Sequence, residues 1–128
     1  MAKLTRTNPD GMHAPVGRYV HVVAVEASKR VVLSGQVGVR PDGSIPEGAS
    51  EQADQLIENI MTALKSEGLT AADIVKITAY LTDREALPAW RAAREKLFGS
   101  VDTASTLLFV AGLADPKFLI EVDVEAAA

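Results

Sequence analysis

The chain is 128 residues long, 48% apolar and 23% charged, which suits one soluble domain with a single buried core. Its formal net charge of −4 gives no field for gripping a phosphate backbone, so dedicated nucleic-acid binding is not expected. Cysteine is absent, which removes disulfides and thiolate ligands, and the two histidines, His13 and His21, fit no compact metal motif. No metal or cofactor is therefore expected.

The opening "MAKLTRTNPDG" carries no apolar stretch behind its basic residues, and no run approaches the roughly 20 apolar residues of a membrane helix. The expectation is a cytoplasmic protein with no membrane partner, folded as a single domain over residues 1–128. Residues 1–15, with Pro9, Gly11 and Pro15, read as an extended arm rather than a regular element. "YVHVVAVEA" reads as a strand with Tyr19, His21, Val23 and Val25 on one face and Val20, Val22 and Ala24 on the other. "VVLSGQVGV" is a second strand, and Gly35 within it marks a bulge or a close backbone approach.

In "SEQADQLIENIMTALKSEG", Ala53, Leu56, Ile57, Ile60, Met61 and Leu64 form one stripe at helical period, with Ser50 placed to cap the start and Gly68 to end it. "DIVKITAYLT" alternates, with Val75, Ile77, Ala79 and Leu81 on one face. Asp83 is placed to cap a second helix in which Ala86, Trp90, Ala93 and Leu97 form the apolar arc, Arg94 falls inside it and Arg91 lies at its edge. "TASTLLFVAGL" and "KFLIEVDVEA" complete the strands, the latter with Glu121, Asp123 and Glu125 on one face. Two helices and five or six strands predict an α+β two-layer sandwich: a mixed sheet of about six strands with both helices on one face.

The segments "APVGRYVHVVAV", "VVLSGQVGV", "DIVKITAYLTD" and "ASTLLFVAGL…FLIEVDVEA" occur in the order seen in the RidA/YjgF/UK114 family, which the chain resembles over nearly its whole length. The resemblance implies a fold akin to chorismate mutase, a homotrimer with clefts between subunits, and hydrolysis of small reactive enamines or imines. A trimer also fits the residues, because two helices cover only one face of a sheet whose first two strands are apolar on both. The alternative is a larger core within a monomer.

By the same resemblance, Ser34 and Gly35 face the substrate, Tyr19 closes the cleft, and Asp123 stands where many relatives carry a water-positioning glutamate. Each has a plainer reading: a bulge, strand packing, and a solvated acidic row. The family arginine that holds a substrate carboxylate is replaced by Ser105, so Ser105 and Thr106 offer hydroxyls where a charged fork is expected. Arg91 is the candidate for the lost cation, with Arg94 the other; the alternative lays both stems over Trp90 and Leu87 with their heads in water. His21 is expected to pack rather than to catalyse. The functional expectation is an imine or enamine hydrolase of altered substrate choice. The competing one is a non-catalytic trimer that binds a small metabolite. Ribonuclease activity, a label attached to the family, is disfavoured by the negative charge.

Overall fold

The computed structural model describes residues 2–128 and has two sheets and two main helices. The strands are β1 (Lys3–Thr7), β2 (Val22–Glu26), β3 (Arg30–Val37), β4 (Ile74–Leu81), β5 (Ala104–Phe109) and β6 (Ile120–Ala127). The helices are α1 (Ala49–Ser66) and α2 (Leu87–Phe98). The α+β class agrees with the sequence reading, but the six strands do not form one sheet. β1 and β2 make an antiparallel ribbon, while the other four form a sheet in the order β3-β6-β4-β5. Only β4 and β5 run parallel, because α2 carries the chain back between them.

The arm contains the first correction. Residues 3–7 are a strand, paired from Lys3–Glu26 to Thr7–Val22, and the expected first strand is shortened to begin at Val22. Tyr19 and His21 lie in the loop before it, so the predicted face of alternating residues begins later. Thr5–Ala24 pairing supplies the backbone partners that "KLTRT" could not announce by its own pattern.

α1 buries Ala53, Leu56, Ile57, Ile60 and Leu64 as its spacing requires, while Met61 at the stripe's edge is 46% exposed. Gly48 rather than Ser50 occupies the N-cap, with no side-chain cap bond, and Ser50 lies inside the helix. Gly68 takes φ 74°, and the amides of Gly68 and Leu69 return to the carbonyls of Lys65 and Leu64, which ends the helix. Asp83 caps a single 3-10 turn, Arg84–Ala86, that leads into α2. The stripe of α1 meets Ile77, Ala79 and Leu81 of β4 and Ile120, Val122, Val124 and Ala126 of β6 in one core. Val75 is only half-buried, because the β4–β6 register slips between Ile74 and Lys76 and Ile74 takes the inward place.

Gln52 is a buried polar residue with every amide atom occupied. Its Nε2 donates to the carbonyls of Pro46 and Lys117, both at 2.8 Å, and its Oε1 accepts from the Leu119 amide at 2.9 Å. It pins the first turn of α1 to the loops that precede α1 and β6. Gly38 lies so close to this turn that a Cβ there would overlap the Gln52 backbone. No helix among the described residues is long and apolar enough to cross a membrane.

Candidate active site

A pocket of about 620 Å³ opens between α2, the helix-facing side of β5 and the loop at residues 16–19. Thr103 fixes the start of β5: its buried hydroxyl donates to the carbonyls of Ile74 and Val75 at 3.1 and 3.0 Å, and its own carbonyl accepts from Val20. Ser105, paired beside Ile77, therefore turns toward the helices and lines the pocket. Thr106 is turned away, exposed, and its hydroxyl accepts from Lys76 Nζ at 2.6 Å on the sheet's other face. The two hydroxyls read together from the sequence are thus separated by the pleat.

Tyr19 lines the same pocket, with its hydroxyl accepting the Val16 amide at 3.2 Å. Leu87, Trp90, Leu107 and Phe109 give it apolar walls. Arg91 is exposed at the rim, and no ion pair or hydrogen bond engages its side chain among the described residues. Arg94 sits deeper, its side chain 7% exposed, one turn further along α2. Its Nη2 donates to the Arg18 carbonyl and lies 3.7 Å from Asp102 Oδ1.

Arg18 ties the pocket loop down. Its Nε donates to Asp102 at 2.8 Å, its Nη2 to the Gly99 carbonyl at 2.9 Å, and its Nη1 pairs with Glu95. The bond to Asp102 and that carboxylate's charge hold the Arg18 pKa above its usual value. Burial acts oppositely on Arg94, whose pKa is drawn down by desolvation and, less strongly, by the neighbouring Arg18 charge, against the pull of Asp102.

The other expected residues lie elsewhere. The β3–β6 pairing slips between Leu33 and Gln36, so the bulge expected from Gly35 occurs at Ser34–Gly35. The missing side chain there admits a carboxylate: a Cβ on Gly35 would overlap the Glu121 carboxylate and stand 3.2 Å from Asp123 Oδ1. Asp123 in turn accepts a 2.9 Å hydrogen bond from Tyr80. That bond, then desolvation and the charges of Asp123 and Glu121, raises the Tyr80 pKa. Glu121 was one of three carboxylates in the acidic row, and only the bulged register reveals that it meets Gly35 most closely.

Two groups of expected residues result. Ser105, Arg91 and Tyr19 belong to the β5 edge and the helix side. Gly35 belongs to the β3 edge, with Asp123 and Glu121 on the opposite face. Three strand spacings, roughly 14 Å, separate β3 from β5. His21 packs edge-on against His13 and Tyr19, with ring centroids 4.8 and 5.5 Å apart, and its Nε2 lies 2.8 Å from the His13 carbonyl. The arm's return brings the two histidines together, a proximity their sequence spacing did not suggest. Among the described residues, no three His, Asp or Glu side chains gather as a metal site.

The family model described as Endoribonuclease L-PSP matches residues 11–128. A "RutC family protein" of Aquifex aeolicus is 33% identical over 115 residues, covering 89% of this chain and 90% of that protein. A protein of Salmonella typhimurium named 2-iminobutanoate/2-iminopropanoate deaminase is 35% identical over 86 residues, 66% of each chain. The crystal structure of a Rid-family protein of unknown function from Yersinia pestis superposes with a TM-score of 0.86, covering 98% of both chains at 24% identity, a likeness of fold.

Proposed function

Because the chain belongs to the Endoribonuclease L-PSP family, which takes in the Rid/YjgF proteins, we propose that it hydrolyses small reactive imines or enamines in a cleft completed by a second copy of itself. One observation carries this reading. The polar groups suited to the chemistry lie on opposite faces and opposite edges of one sheet, so no single small molecule reaches both within one subunit. A homotrimer would bring the Gly35 edge of one copy to the Ser105 pocket of the next. It would also cover Val32 and Leu108, 59% and 43% exposed on the face without helices.

In the assembled cleft, Ser34 and Gly35 present backbone to the substrate, and Tyr19 closes one wall. Ser105 donates one neutral hydrogen bond where the resembled family has a guanidinium, and Arg91 brings positive charge from the rim. Glu121, with Asp123 held beside it by Tyr80, positions the attacking water and accepts its proton. Oxygen bonds to the C=N carbon as the π pair moves to nitrogen, and nitrogen takes the water's proton back from the carboxylate, giving a neutral carbinolamine. The freed carboxylate then accepts the carbinolamine hydroxyl proton and passes it to nitrogen as the C=O bond forms and the C–N bond breaks, so ammonia leaves and a carbonyl compound remains. Since such imines also hydrolyse unaided, holding substrate and water in register supplies much of the rate. Thr106, on the face away from Ser105, has no part in the pocket of its own subunit.

The test generates 2-imino acids in place with an amino-acid oxidase and follows release of ammonia and keto acid. Addition of the protein accelerates release for at least one amino acid. An unchanged rate across aliphatic, aromatic and branched amino acids contradicts the proposal. The substitution at Ser105 favours a second reading, a binding trimer without turnover. It is supported by a ligand that raises the melting temperature and is never consumed.

A further inference from the structure

We infer that the pocket takes an anion with a bulky apolar body, and that Arg94, from α2, holds its anionic group. This rests on the hydrolase reading only for taking the pocket as the substrate cleft. The chemistry comes from the state of Arg94. A guanidinium has five N–H donors and does not shed its proton in a protein. Arg94 is nearly fully buried, yet its Nη1 has no hydrogen-bond partner.

Its ion pair with Asp102 is a shared and loose one. Asp102 Oδ1 is engaged by Arg18 Nε at 2.8 Å and stands 3.7 Å from Arg94 Nη2, beyond hydrogen-bond distance. Glu95 is also drawn to Arg18. Two guanidiniums thus compete for one carboxylate, and the buried one is left short of negative charge. Burial lowers the Arg94 pKa, with the Arg18 charge acting in the same direction and Asp102 and Glu95 against it. Nη1 is covered from solvent, so a carboxylate meets it only as the surrounding side chains shift; it then displaces no protein acceptor, and charge-assisted bonds to arginine are among the stronger ones available to it. Ser105 lines the same pocket and adds a neutral donor.

The rest of the lining sets the ligand's size. Leu87, Trp90, Leu107 and Phe109 form the apolar walls of a space of about 620 Å³. That volume suits a ligand well above the size of a three- or four-carbon acid. The short Ser105 side chain on β5 leaves room for an aromatic or branched side chain. The site therefore selects larger substrates than those in the name of the Salmonella relative.

Calorimetric titration of the unmodified protein tests this with three probes: 3-phenylpropanoate, its neutral amide 3-phenylpropanamide, and butanoate. The expected result is 3-phenylpropanoate binding at least about tenfold more tightly than either of the others, as a buried charged contact implies. Arg94→Gln removes more than about tenfold of that preference, and Arg91→Gln, at the solvated rim, about threefold. Should Arg94→Gln not fold, the unmodified protein still decides: a buried anchor keeps the preference for acid over amide in about 0.5 M salt, where rim charges are screened. Equal binding of acid and amide, equal binding of the long and short acids, loss of the preference in salt, or an Arg91→Gln loss as large as that of Arg94→Gln overturns the inference. Absence of imine hydrolysis with the preference intact removes the hydrolase reading and leaves the anchor standing.

Discussion

Gly35→Ala separates the role of the Glu121 carboxylate from that of the fold. Gly35 is not among the glycines with positive φ, so alanine meets no backbone strain there. The added Cβ overlaps the Glu121 carboxylate, whose Cδ stands only 2.9 Å away. Ordinary contact begins near 3.4 Å, so Cδ has to retreat by the difference, 3.4 − 2.9, or 0.5 Å, and the oxygens by more. The obstructing atoms are the end of a flexible, half-exposed side chain, and the unfolded state loses some freedom with alanine. The net stability change is therefore within about 1 kcal/mol, or a melting shift of no more than about 5 °C. Misplacing a reacting group by about 1 Å costs as much as ~100-fold in rate. The expected outcome is a ~10–100-fold fall in kcat/KM in the oxidase-coupled assay, with the melting temperature and oligomeric mass preserved. An alanine variant retaining the unmodified rate would refute the placement of water by Glu121 against Gly35.

Gln52→Leu leaves two carbonyls and one amide without partners. The expected loss is about 3 kcal/mol or more of unfolding free energy by denaturant titration, far above that of an exposed glutamine-to-leucine change. Leu64→Ala, at a fully buried position of α1, is expected to cost about 2–5 kcal/mol in the same measurement. In an ultraviolet titration, Tyr80 ionises above the ordinary tyrosine value, and Asp123→Asn removes much of the shift. The sign follows from the raised pKa: the hydrogen-bonded phenol contributes stability below the unfolded tyrosine value near 10, and this is lost as pH rises through the folded value. A Tyr80 titration unaffected by Asp123→Asn would contradict the bond.

Much of the scaffold was legible in local periodicity. The α1 stripe, the alternation of β6, and the inward place of Arg94 in the α2 arc all follow from side-chain repeat, and Gly35 announced its bulge by composition. The strand at Lys3–Thr7 did not, since "KLTRT" has one apolar residue and is held by pairing with a partner fifteen or more residues away. Glu121 was hidden for a related reason. Period two places Glu121, Asp123 and Glu125 on one face without distinguishing them, and only the bulge in β3 decides which carboxylate meets Gly35. The division of the site between two edges depends on the strand order β3-β6-β4-β5, which no local segment encodes. The same is true of the competition between Arg18 and Arg94 for Asp102, a contact spanning the loop before β2, α2 and the start of β5.

Mixing two impaired variants tests the shared cleft most directly. Ser105→Trp fills the pocket half and Gly35→Ala displaces the carboxylate half, so each homo-oligomer has every cleft damaged. In oligomers refolded from an equal mixture, about a quarter of clefts join an intact pocket half to an intact carboxylate half under random cyclic assembly. The expected result is recovery of roughly that share of the unmodified imine-hydrolase rate. Hybrid oligomers that form, as shown by native mass spectrometry, and remain as impaired as their parents would contradict a site shared between subunits.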